Sequence, residues 1–543
     1  MNVHNFVRYS VIVLLSALLF LPFLGHVHLF DWDEINFAEC AREMIVTNDY
    51  LRPQIDFQPF WEKPPLFIWM QVVSMKLFGV NEYAARFPNA FMGIITLVTL
   101  FYIGKKVANE RMAMWWTLLY AATWLPHFYF KSGIIDPTFN YFIFLAFFQV
   151  HLLRYASDKF KHAAYAGLFL GLAVLTKGPV AALIAILALV VYIFINKGLW
   201  GFKPFHFLVI FVASILPFAA WFASAILFYG WDFGSWFINE FVTYQIRLFR
   251  TEDADHGGPF FYHFIVLLLG CFPASVFLFQ YSRKRTTDNE TARDFTRWMW
   301  ILFWVTLLLF SIVKTKIVHY SSLCYFPLTY LAALKVEQIA SGEIRFKTWL
   351  KGLLIFIGCV WGTILIALPF VGLYKHKIIP LIDDPFAVGN LQADVSWTAW
   401  ESLWGLFYIV AIIVAVLVMR RNFAKGMLTL AVVQIIIIQI TILHFTPKIE
   451  AYSQRAAIRY FKSFVGKDVY VQPLDYKSFA HLFYTKKLPS TNPNYHNQAW
   501  LLRGAVDRPT YFICKVTGAD EFRKLPQLQE IGQQYGFVFF RRR

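Results

Sequence analysis

The sequence predicts a polytopic α-helical membrane protein of about thirteen transmembrane helices that ends in a small extracytoplasmic α/β domain. Three observations predict it. Of the 543 residues, 58% are hydrophobic and 15% charged, whereas soluble domains carry about 25% charged residues. Aromatic residues reach 19%, as wide lipid-facing surfaces and interfacial belts require. Apolar runs recur through residues 1–446, and from Pro447 the chain turns more charged and strand-like.

The runs lie near residues 7–25, 87–104, 111–129, 138–153, 162–176, 178–195, 205–228, 260–280, 296–313, 317–334, 349–373, 402–418 and 427–445. The first lacks a small-residue cleavage site and reads as an anchored span, not a removed signal. Leu66–Phe78 is interrupted by Gln71, Ser74 and Lys76, and a run of that length suits the interface better than a crossing. Loop charge agrees. With Leu66–Phe78 in the interface, six cationic loops fall on one side: Lys105/Lys106/Arg111, Arg154/Lys159/Lys161, Lys197/Lys203, Arg283/Lys284/Arg285, Lys335/Arg345/Lys347 and Arg420/Arg421/Lys425. The positive-inside rule makes that side cytoplasmic. The loop 26–86, the Asp136 turn, residues 229–259, residues 374–399 and the tail 447–543 then face outward.

The net charge of +17 follows from these scattered loops rather than from a nucleic-acid groove. In the tail, Asp468–Gln472 and Pro509–Val516 read as strands, and Tyr476–Thr485 and Asp520–Leu525 as helices. Cys40, Cys271, Cys324, Cys359 and Cys514 show no metal spacing. Whether Cys40 and Cys514 pair is left open by the sequence.

The chemistry-bearing residues gather in the outward loops. Asp33 and Glu34 follow the first span; they could be a favourable acidic helix start, or catalytic acids that orient or deprotonate an acceptor. Glu62-Lys63 precedes Pro64-Pro65, which stiffens the chain and fixes Lys63 as a candidate for a lipid phosphate. Asp136 sits in Lys131-Ser-Gly-Ile-Ile-Asp136-Pro137, either a turn and helix start or, with Lys131, a second acid/base pair. Lys177-Gly178-Pro179 breaks an apolar stretch, such breaks often line cavities, and Lys177 is a further candidate cation for the lipid phosphate. The loop Arg247–Pro259 offers Arg247 and Arg250 for phosphate oxygens and His256 for a metal or acceptor. Lys314, Lys316 and His319-Tyr320 add cations near the membrane plane. Nucleotide-binding and nucleophile-elbow motifs are missing from the sequence.

This set of motifs resembles the bacterial aminoarabinose transferases, members of the GT-C class of polytopic glycosyltransferases related to protein O-mannosyltransferases. The resemblance covers roughly residues 1–320 through motifs and the rest through architecture. It implies a GT-C fold, a polyprenyl-phosphate-linked sugar as donor, and transfer on the periplasmic face of the bacterial inner membrane. On that resemblance Asp33 and Asp136 are catalytic or substrate-positioning acids, Lys63 contacts the donor phosphate, and Glu62 with His256 holds a divalent metal if one is used. The chain departs from the pattern at Asn36, where the aminoarabinose enzymes usually have Arg. Lipid A, another envelope glycan and a secreted protein therefore stay open as acceptors. A transporter of lipid-linked saccharides is the reading from another class, but it predicts repeat symmetry, which the sequence lacks.

Overall fold

The computed structural model describes residues 3–198, 201–248, 257–280 and 289–543. Its first half runs α1 (Val3–Phe20), α2 (Asp33–Thr47), a short hairpin β1 (Gln54–Ile55) and β2 (Gln58–Pro59), α3 (Leu66–Phe78), α4 (Glu82–Val107), α5 (Glu110–Ala121), α6 (Trp124–Tyr129), α7 (Asp136–Tyr155), α8 (Lys159–Lys177), α9 (Val180–Asn196), α10 (Pro204–Tyr229) and α11 (Trp231–Leu248). There follow α12 (Tyr262–Gly270), α13 (Ala274–Phe277), α14 (Glu290–Ile312), a 3-10 turn at Val318–Cys324, α15 (Tyr325–Ala340) and α16 (Thr348–Leu373). After two short helices, α17 (Lys375–Ile378) and α18 (Pro385–Leu391), come α19 (Leu403–Arg421) and α20 (Phe423–Ile440).

Six helical stretches among the described residues are long and apolar enough to cross a membrane: 82–107, 204–229, 290–312, 348–373, 399–421 and 423–451. Other expected spans are shorter or broken for visible reasons. The 111–129 run divides into α5 and α6 just before Pro126, and the 260–280 run divides at Cys271–Pro273, because proline removes a helical N–H and clashes with the preceding turn. Leu66–Phe78 forms α3, an apolar helix of 13 residues.

Contacts between loops gather the expected cytoplasmic cations at one end of the bundle. Lys105 and Arg8 both pair with Glu110. Arg154 pairs with Glu290 and Asp294, and Lys159 donates to the Gly201 carbonyl. Phe346 stacks on Phe277 and Phe423 meets both rings edge-on, which joins three further loops.

Residues 229–248 differ from the expected loop by forming a helix. Phe233, Phe237 and Phe241 recur every fourth residue and pack on Phe218, Trp221 and Phe222 of α10, the spacing of one helical face. Trp236 also meets Trp61 edge-on at 5.4 Å, which sets α11 beside the Glu62-Lys63 turn.

The tail contains a four-stranded sheet of order β3-β4-β6-β5, with β3 (Tyr470–Leu474), β4 (Thr510–Lys515), β5 (Leu528–Gln534) and β6 (Phe537–Arg542). β3 and β4 are parallel; β6 pairs antiparallel with both β4 and β5. The tail docks on the segment between α1 and α3. Lys487 and His496 both engage Asp56 between β1 and β2, and Tyr484 Oη accepts from the Leu29 N–H at 2.8 Å. Burial opposes ionisation of Asp56, but hydrogen bonds from His496 and Lys487 prevail and hold its pKa at about 2. Cys40 and Cys514 are both buried and unpaired.

Candidate active site

The first loop is held by Glu34, not freed for chemistry by it. Glu34 is buried in the first turn of α2. Arg86 of α4 grips both its oxygens, Nε to Oε1 at 2.9 Å and Nη2 to Oε2 at 2.7 Å. The backbone N–H groups of Phe30 and Gly133 donate to the same carboxylate. Arg86 also donates to the Leu24, Val27 and His28 carbonyls. Glu34 therefore ties α2, α4, the loop after α1 and the turn before α7 into one unit. The catalytic expectation for Glu34 is corrected on this ground: every lone-pair direction is directed at the protein. Gly133 lies close to its neighbours, and a Cβ there would make a tight contact of 3.2 Å with the Ala85 carbonyl.

That scaffold brings two other acids together. Asp33, beside Glu34 but on another helical face, has a side chain 32% exposed, while Asp136 at the start of α7 is 3% exposed. His319, in the 3-10 turn before α15, stands between them. Its Nε2 lies 3.5 Å from Asp33 Oδ2 and 3.8 Å from Asp136 Oδ2. Lys177, the last residue of α8, reaches back 2.5 Å to Asp136 Oδ1, and its ammonium also faces the rings of Phe139 and Tyr320. Asp136 Oδ2 makes no hydrogen bond among the described residues; its open side faces His319.

Lys131 is not the partner of Asp136. It donates to the Leu19 and Pro22 carbonyls at 2.9 and 3.0 Å, fastening the end of α1. The exchange for Lys177 had a sequence signal, because helix breaks such as Lys177-Gly178-Pro179 leave a cation at a helix end. Gly178 has φ +96°, a conformation open to glycine and strained for other residues.

Lys63 is half-buried, makes no hydrogen bond or ion pair among the described residues, and lies within electrostatic reach of His319. Glu62 lies near Cys40 of α2. Arg247 is exposed near the end of α11, its guanidinium 5.4 Å from the Tyr244 ring centroid. Arg250 and His256 lie outside the described residues. Gly257, next to His256 in sequence, bridges to Thr315, and a Cβ on Gly258 would meet Lys316 Cγ at 2.8 Å. Among the described residues no three His, Cys, Asp or Glu side chains are grouped to hold a metal ion.

Beside Lys177 an apolar groove of about 390 Å³ opens between α8, α9 and α10. Val174, Pro179 and Phe218 line its end near Lys177, and Phe202, Phe207 and Trp298 its opposite end. Long hydrocarbon is the matching occupant.

Comparison with known proteins agrees with this architecture. A family model described as dolichyl-phosphate-mannose-protein mannosyltransferase matches residues 62–221. The undecaprenyl phosphate-alpha-4-amino-4-deoxy-L-arabinose arabinosyl transferase of Pectobacterium carotovorum is 26% identical over 422 residues, covering 74% of this chain and 73% of that protein. Its Shewanella sediminis counterpart is 28% identical over 383 residues, covering 69% and 67%. The crystal structure of ArnT from Cupriavidus metallidurans bound to undecaprenyl phosphate superposes with a TM-score of 0.75 at 17% identity, covering 99% of this chain and 98% of that one. The chain resembles the aminoarabinose transferases of the GT-C class. Its fold is ArnT-like and mostly helical, in keeping with a membrane protein.

Proposed function

We propose that the chain transfers a sugar from a polyprenyl-phosphate donor to an envelope acceptor, lipid A or another glycan, on the periplasmic face of the inner membrane. The observation that carries the reading is the meeting, at one end of the helix bundle, of a cation unpaired among the described residues, Lys63, a partly exposed carboxylate, Asp33, and an apolar groove. The relatives are named for undecaprenyl phosphate and 4-amino-4-deoxy-L-arabinose, which supports this donor class. In this reading the chain crosses about thirteen times, α3 lies in the interface, and residues 447–543 form a periplasmic domain over the site.

The prenyl chain occupies the groove between α8, α9 and α10, which places its phosphate near Lys177 and Lys63. Lys63 supplies a charge-assisted contact to the phosphate oxygens, and Arg247 and Arg250 are further candidates for them. As the bond from sugar to phosphate breaks, negative charge grows on the leaving oxygen, and fixed cations there stabilise the transition state. Lys177 holds Asp136 in place, and Asp33, the more exposed acid, positions the acceptor. Without a separate nucleophile for a covalent intermediate, the transfer inverts the anomeric centre. The matched family model is named for protein mannosyltransferases, which favours a secreted protein as the second acceptor reading. Incubating purified protein with undecaprenyl-phosphate-aminoarabinose and lipid A, and in parallel with envelope glycan and protein fractions, tests both. Sugar appearing on none of them would reject the proposal.

A further inference from the structure

Asp33 is not alone at the acceptor side: an imidazole stands directly behind it. His319 has a side chain 14% exposed, and Nε2 is the ring atom it turns toward both acids. The groups around it come from several elements: Asp33 of α2, Asp136 of α7, Lys177 of α8, Lys63 of the loop before α3, His263 of α12, and the rings of Tyr129 and Tyr320. Lys177 neutralises Asp136 through Oδ1, while Asp136 Oδ2 is buried, makes no hydrogen bond among the described residues and faces the ring. The line Asp33–His319–Asp136–Lys177 can therefore pass a proton inward from Asp33 and stabilise it on the ring.

We propose that His319 takes up the proton that Asp33 removes from the acceptor, and that the acceptor's nucleophile is accordingly a hydroxyl rather than a phosphate. The inference rests on the transferase reading above and narrows its acceptor class. A phosphate monoester, with a second pKa of about 6, already presents an anionic oxygen near neutral pH. It needs no base, and Asp33 would repel it. A hydroxyl must lose its proton as it attacks. The acceptor O–H bond breaks, its oxygen forms the bond to the anomeric carbon, and the bond from that carbon to the phosphate oxygen breaks with its electron pair on the leaving lipid phosphate. The proton passes from the hydroxyl to Asp33 and on to Nε2 of His319, which with Nδ1 protonated presents a lone pair, and returns to water once the product leaves. His319 acts through Asp33 and is a positioning and proton-holding residue, not one that touches substrate.

Two measurements test it. The linkage is read on wild-type protein: sugar added to envelope material in a chain-dependent way is treated with mild acid, which cleaves a glycosyl phosphate and spares a glycoside. The relay is read in isolated membranes with their own lipid-linked donors, comparing wild type, His319→Gln and His319→Asn between about pH 5 and 8. The expected results are an acid-stable product and a fall on the order of a hundredfold in both variants. Undecaprenyl phosphate binding is retained in the variants. Wild-type activity declines as pH falls and Nε2 becomes protonated; in the variants, which lack the imidazole, that decline is lost from this range. An acid-labile product, or variants that keep the wild-type rate and pH profile, would overturn the inference while leaving the transferase reading intact. No chain-dependent sugar on any envelope fraction would instead overturn the transferase reading, and this inference with it.

Discussion

Exchanging Glu34 for Gln separates the scaffold from the chemistry. The substitution keeps the side chain's size but removes its charge, leaving the buried Arg86 guanidinium facing a neutral amide. Two charge-assisted bonds at 2.9 and 2.7 Å weaken, and one of the two backbone N–H groups of Phe30 and Gly133 that donate to this carboxylate meets an amide NH2 in place of an acceptor. Breaking a buried pair by removing one partner costs about 3–5 kcal/mol, because the surviving charge is uncompensated. Glu34→Gln is therefore expected to lower the thermal unfolding temperature of the detergent-purified protein and its level in membranes. The double variant Glu34→Gln/Arg86→Gln removes both charges and is expected to recover part of the loss, which a double-mutant cycle reads as coupling. Asp33→Asn, one residue away, is expected to leave stability near wild type. If Glu34→Gln folds as well as wild type yet loses transfer, the anchoring account is wrong and Glu34 belongs to the chemistry.

Further outcomes follow from other parts of the molecule. Lys63→Ala is expected to weaken undecaprenyl phosphate binding by roughly ten- to a hundredfold, from about 1.5–3 kcal/mol for a charge-assisted contact; titration of purified protein checks it. Lys63→Arg restores only part, because a planar fork does not replace a compact ammonium. Ala182→Trp, on the groove wall, is expected to raise KM for the long-chain donor and spare a short-chain analogue; equal effects on both would empty the groove of its role. Asp56 has its pKa lowered from 3.8 to about 2, so its stabilisation is fully present above pH 3.8 and is lost as pH falls through about 2. The shift corresponds to about 2 kcal/mol. Asp56→Asn is expected to remove this acid dependence and to expose the tail to limited proteolysis at neutral pH.

The sequence made the placement of charge legible and its pairing much less so. Asp33, Lys63, Asp136 and Lys177 stood out because each is a charged group in an outward break between apolar runs, where lipid makes unpaired charge costly. That Glu34 turns inward while Asp33 stays partly exposed could not be read, since it depends on Arg86, 52 positions away. Lys131, five positions before Asp136, was its expected partner on paper; packing instead sends Lys131 to the carbonyls of α1 and brings Lys177 to Asp136. His319 looked like one more interfacial cation, and its position between two acids arises from a 3-10 turn that no periodicity announces. The helix at 231–248 was readable from its Phe233/Phe237/Phe241 spacing, but its short length and its acidic and polar residues disguised it as a loop. The β5–β6 hairpin was obscured because Tyr535, with φ +55°, occupies a turn position where Asn or Gly is the usual signal.

The most direct test of the central claim is sugar transfer from undecaprenyl-phosphate-linked aminoarabinose by the purified chain, measured with Asp33→Asn alongside and with undecaprenyl phosphate binding followed on both. The account predicts transfer by wild type, loss of about 10²–10⁴-fold in Asp33→Asn, and donor-lipid binding by both proteins. Wild-type protein that neither transfers sugar nor binds undecaprenyl phosphate, or an Asp33→Asn variant as active as wild type, would contradict it.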